Sequence, residues 1–313
     1  MPDFHTYGSA LALAAGITAL VALAVGALRP PASLARRKVA CVMAVAAGLA
    51  SGGYVLQWPV AWPPTSGLGR LLTIVLPLAI VIELISAATA VPRRLVWCCR
   101  LALAMSIGRI LLHGSIYLSG DTPEWSVPLA AAIHLISGSV LMVVWALLIW
   151  LSHRSGGASL CLALAQAALA GGLATMLAGY LGGGAAALPL AGALAGCALA
   201  CGLRKLPGDS FEGAVSLGAV ALFGLLFIGH FFGQLSTGRA LTVFLAPLLC
   251  LVTELPVLRR RPAWQTCLLR LVLAAIPLIA VVALAKRDFD HDTLPLLSQR
   301  QAQPPAHSRG GVR

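Results

Sequence analysis

One feature decides what this chain can fold into: apolar runs of membrane-crossing length recur ten times along its 313 residues. Their approximate spans are 8–28, 39–57, 71–92, 95–118, 129–151, 158–181, 185–203, 214–233, 240–258 and 264–285. About 20 apolar residues cross a bilayer core as a helix. Inside lipid the backbone must satisfy its own hydrogen bonds, which leaves helices and closed barrels, and runs this long select helices. The expected fold is therefore an all-α, polytopic membrane bundle of ten helices. Composition agrees, because only 10% of residues are charged, against about 25% in a soluble domain.

The net charge of +12 looks like a nucleic-acid signal, but its placement excludes one. Twelve Lys and Arg residues sit in the short loops after segments 1, 3, 5, 7 and 9, and only Arg70 and Arg239 in the others. That asymmetry orients membrane helices, with the basic loops inside and both termini outside the cytoplasm. Five basic residues in the tail weigh against this orientation. No Lys or Arg precedes Arg29, so the first run reads as a retained helix and not a cleaved leader. The chain has no Asn, and Arg outnumbers Lys 19 to 3. Both biases suit GC-rich codons and point to a bacterial inner membrane. The eight cysteines lie in or beside apolar runs and read as small packing residues. Residues 286–313 read as a polar, disordered tail.

The sequence also repeats. GRLLTIVLPLAIVIELISAATAVPRRLVWCCRLALA, from Gly69, is echoed by GRALTVFLAPLLCLVTELPVLRRRPAWQTCLLRLVLA, from Gly238. Both run Gly-Arg-x-Leu-Thr, a mid-helix Pro, Glu-Leu, Arg-Arg-x-x-Trp and then an intramembrane Arg. GALRPP and CGLRKLP extend the match upstream. Segments 1–4 (about 8–118) are thus expected to recur as segments 7–10 (about 185–285), joined by two linker segments (about 129–181). An offset of six helices preserves orientation, so the repeat is parallel.

Ionisable residues in lipid are costly, about 2.5–3.5 kcal/mol each on insertion scales, and mark functional positions. Arg100 and Arg270 lie about 9 and 13 Å beyond the loop arginines Arg94 and Arg261, within snorkelling reach of the headgroups. They read, with Glu254, as structural charges. Arg109 lies about 22 Å past Arg94. Nine residues separate it from Arg100, half a turn, so the two point to opposite sides of segment 4. Ser106 and His113 share its face. That stripe is expected to face the bundle interior, with Glu83 as the counter-ion for Arg109 or Arg100. Glu83, Arg109, His113 and Ser106 are therefore the expected buried-charge or substrate residues.

His113, His134 and His230 fall at one level and could bind a metal or haem. They share no local motif, so ordinary hydrogen-bonded histidines are the preferred reading, with no cofactor. Gly48/Gly52 and Gly192/Gly196 form small-x-x-x-small packing faces. Pro77, Pro247 and Pro277 are positioned to kink segments 3, 9 and 10. The sequence holds no His-Glu-x-x-His, phosphate loop or nucleophile elbow. The expected function is a small-molecule transporter or permease with its site between the repeats. The alternative is a non-catalytic structural or assembly subunit, and a redox or metal protein ranks third. The expected partners are the bilayer and a small solute or a second membrane protein, with no nucleic acid.

Overall fold

The computed structural model describes residues 4–27, 33–58, 61–88, 91–115, 117, 126–154, 156–204, 207–256, 258 and 262–302. Ten helices among them are long and apolar enough to cross a membrane, and no strand occurs among the described residues. In chain order they are α1 (Phe4–Ala27), α2 (Leu34–Val55), α3 (Gly67–Ala87), α4 (Arg93–Leu112), α5 (Val127–Arg154), α6 (Gly157–Leu177), α7 (Leu181–Leu203), α8 (Glu212–Phe232), α9 (Thr237–Glu254) and α10 (Ala263–Ala302). They correspond one to one with the ten apolar segments.

The centre of the bundle is α8, every residue of which from Glu212 to Gly229 is buried. Its sequence is apolar all round below Glu212, as a helix surrounded by others requires. Helices α2, α3, α5, α6 and α7 pack against it. A second tight unit joins α1, α2 and α7. Here the small-residue faces work as expected: Gly192 and Gly196 of α7 lie against the Leu11 and Ala15 carbonyls of α1, where an added Cβ would sit 2.3 and 2.2 Å away. Gly48 and Gly52 of α2 meet Ala14 and Ala10 of the same helix. Without these glycines the backbones could not come so close.

Two helices change type midway, each at a proline. In α3 a π-turn over Leu71–Val75 precedes Pro77. In α9 the α-helix ends at Leu245 and a 3₁₀ stretch, Ala246–Glu254, carries Pro247 in its first turn. Proline lacks the N–H that would close the preceding turn, so the backbone rewinds there. Pro277, by contrast, lies inside a continuous α10.

Three boundaries differ from the sequence expectation. The chain turns between α6 and α7 at Ala178–Tyr180, where Gly179 takes a φ of +89°. The three glycines of LGGG belong to α7, and Gly183 and Gly184 lie against Tyr180 and Met176. Helix α4 ends at Leu112, with His113 as its cap, six residues before the expected end at 118. Finally, α10 continues to Ala302, through the first part of the stretch expected to be disordered. Arg239 of α9 forms an ion pair with Asp288, and Lys286 reaches Asp290 one turn on, so this part of the tail is held as helix. Residues 303–313 lie outside the described residues.

Candidate functional site

The hairpin of α3 and α4 brings Glu83 to Arg100. Nε of Arg100 donates to one carboxylate oxygen of Glu83 at 3.0 Å and Nη2 to the other at 2.8 Å. Both side chains are 1% exposed, so the pair is sealed from water and lipid. The same Nη2 donates to Glu212 Oε1 at 3.0 Å and to Ser86 Oγ at 3.3 Å. The guanidinium also lies over the rings of Trp97 and Trp145, at 4.9 and 5.8 Å from their centroids. A planar fork that donates to two carboxylates while lying over aromatic rings suits arginine and not lysine.

Glu212 extends the cluster outward. It opens α8, where the helix dipole favours an acid. Its second oxygen accepts from Lys38 Nζ of α2 at 2.6 Å and lies 3.8 Å from Nε2 of His153 at the end of α5. Nδ1 of His153 meets Asp209 at 2.5 Å. Five helices, α2, α3, α4, α5 and α8, thus converge on one charged cluster. It runs from the half-exposed Asp209 and His153 to the sealed Glu83–Arg100 pair. Every contributor lies at the bundle end that carries the basic loops.

The α9–α10 hairpin repeats the theme. Nη2 of Arg270 donates to Glu254 at 2.8 Å, Nε to Thr253 Oγ1 at 2.7 Å, and Nη1 to Ser159 Oγ of α6 at 2.9 Å. Both hydroxyls pass their own protons on, Thr253 to the Cys250 carbonyl and Ser159 to that of Gly156. The two Gly-Arg-x-Leu-Thr stretches match as well. Thr73 Oγ1 donates to the Gly69 carbonyl and Thr242 Oγ1 to the Gly238 carbonyl, both at 2.8 Å.

Of the four residues expected as the buried-charge or substrate set, only Glu83, the expected counter-ion, is buried. Arg109 and His113 are exposed and Ser106 is half-buried, its hydroxyl donating to the Leu103 carbonyl. Arg100 and Arg109 do face opposite sides of α4, but the inward side is that of Arg100. The expected end of α4 at 118 put Arg109 deep in the membrane. With the end at Leu112 it lies about one turn from the surface. Neither Arg100 nor Arg270 snorkels, since their side chains are 1% and 6% exposed and ion-paired inside the bundle.

His134 and His230 each spend a ring nitrogen on a nearby carbonyl, that of Ala130 and that of Leu235. Among the described residues no three His, Cys, Asp or Glu side chains gather as a metal-ion set. Sequence reasoning missed Glu212, His153 and Asp209, which fall outside the expected apolar segments, and counted Lys38 only among the loop charges. The available signal was an acid two residues before the apolar run at 214–233, where a helix dipole favours one.

Two clefts open on the flanks. One, of about 690 Å³, lies between α2 and α3 and is lined by Gly53, Tyr54, Trp58, Thr73 and Pro77 among others. The other, of about 580 Å³, is lined by Arg93, Trp97, Ala146, Leu147, Ile149, Trp150, His153 and Leu251. Neither is lined by Glu83, Arg100 or Arg109. No protein-family model matches the sequence, and no curated protein matches it significantly. Ten apolar helices make this a chain compatible with a multi-pass membrane protein.

Proposed function

We propose that this chain is a small-molecule transporter or permease of a bacterial inner membrane, built from two parallel copies, α1–α4 and α7–α10. The observation that carries the reading is the bridge from Arg100 to Glu212. Arg100, Glu83 and Lys38 belong to the first copy and Glu212 to the second, so the charges meet on the surface between the copies. Fixing the α3–α4 hairpin needs only Glu83 and Arg100. The third member ties the copies together at the end read as cytoplasmic. Such a tie is released when another anion takes the guanidinium donor, or when Glu212 gains a proton. Two helices broken at proline, one in each copy, supply the irregular backbone that transporters place beside their sites.

A packed assembly subunit is the second reading. It is favoured by the way Glu83, Glu212, Arg100 and Arg270 are already paired and by clefts that do not reach the central pair. One experiment separates the two. In a cysteine-free background, Ser216→Cys places a thiol on buried α8, one turn below Glu212. A transporter is expected to expose it to a membrane-impermeant maleimide from each side of a proteoliposome in turn. It should also take up some member of a panel of small organic anions, with Glu212→Gln altering that uptake. Protection of the thiol from both sides, with no uptake, would remove the transporter reading and leave the assembly subunit.

A further inference from the structure

We infer that the flank cleft between α4, α5 and α9 binds an acidic phospholipid. The cleft holds about 580 Å³ and opens sideways, and its floor of Ala146, Leu147, Ile149 and Leu251 offers an acyl chain nothing but hydrocarbon. Its rim is basic and aromatic. Arg93 and His153 line it directly, Trp97 and Trp150 form its walls, and the Arg154 guanidinium stacks over Trp150 at 4.8 Å.

Two features make the rim a headgroup site and not merely a charged edge. Arg93 and Arg154 are exposed, and among the described residues neither has a carboxylate partner. Arg100 and Arg270, by contrast, are fully paired. Arg93 also opens α4 behind Pro92, and no side chain caps that end. The first backbone N–H groups of a helix lack partners and carry the positive end of its dipole, so they favour an anion. Asp209 sits on His153 itself, and Glu212 is taken up by Lys38 and Arg100, so neither acid pairs with Arg93 or Arg154. An apolar trough, tryptophans at the interface level and free arginines above them match a two-chain lipid with a phosphodiester head.

Quenching of tryptophan fluorescence tests this on the full chain in phosphatidylcholine bilayers. Brominated phosphatidylglycerol is titrated against brominated phosphatidylcholine with the same acyl chains. The phosphatidylglycerol is expected to quench at a clearly lower mole fraction. Arg93→Gln and Arg154→Gln are each expected to reduce that preference about fivefold, the effect of one basic side chain beside an anionic headgroup. Trp150→Phe should remove a large part of the excess quenching. Arg36→Gln, on an exposed residue near the start of α2 at the same bundle end, should leave the preference unchanged. Equal quenching by the two lipids overturns the proposal, as does an Arg36→Gln effect as large as that of Arg93→Gln. Displacement by free glycerol phosphate would also overturn it, since the site would then be one for a soluble anion.

Discussion

The α3–α4 and α9–α10 hairpins use the same vocabulary for different ends. Each brings a glutamate from one helix to an arginine 17 or 16 residues on. In the first, the acid takes both edges of the guanidinium and a second acid arrives from α8, so charge is answered by charge. In the second, a single carboxylate oxygen meets Nη2, and two hydroxyls complete the shell. Glu83 is sealed, whereas the Glu254 side chain is 13% exposed. One arginine therefore holds a surface between distant helices, and the other holds its own hairpin to α6. Similar sequence signatures thus lead to different mechanical roles, and the difference lies in what the third helix supplies.

Substitutions can break that comparison. The largest effect is expected from Arg100→Leu, which strands Glu83 in the interior and should destabilise the protein by about 3–5 kcal/mol. Adding Glu83→Leu should recover most of the loss, since Lys38 still answers Glu212. Unfolding in graded SDS reads both, and a double variant no better than the single would show that the pair is not the unit. Arg270→Leu should lose about 2 kcal/mol, the scale of hydrogen bonds to a charged group, because the partly exposed Glu254 can find solvent or headgroups. A loss matching that of Arg100→Leu would erase the distinction between the hairpins. Thr73→Val and Thr242→Val probe what the hairpins share. Each removes one hydroxyl-to-carbonyl bond, and each is expected to shift stability by about 1 kcal/mol or less, alike within error. Arg109→Leu should be the mildest, within about 0.5 kcal/mol, as for an exposed position with no partner among the described residues. A larger change in melting temperature than for Arg100→Leu would restore Arg109 to the interior.

Much of this is legible in the sequence. Ten runs of apolar residues gave ten helices, and the glycine pairs at 48/52 and 192/196 mark real close approaches. The opposition of Arg100 and Arg109 followed from helical geometry alone. Which of them faces inward did not, because a face is defined by neighbours that periodicity within one helix cannot name. The error in the end of α4 compounded this: six extra residues moved Arg109 from the surface to mid-membrane. Glu212 was missed for a related reason. Standing at the first turn of α8, it reads as a loop charge until Lys38 and Arg100, 174 and 112 residues away, are brought beside it.

Those separations have a consequence for how the chain is made. Glu83 and Arg100 leave the ribosome 17 residues apart, so α3 and α4 can enter the bilayer as one hairpin already neutral inside. Glu212 is synthesised much later, 112 residues after Arg100 and 174 after Lys38. Until then Lys38 lacks the carboxylate it meets in the finished bundle, and the site around α8 stays incomplete. Within this cluster the bridge from Glu212 is the last contact to form, so a chain halted before α8 holds its first hairpin but no finished cluster.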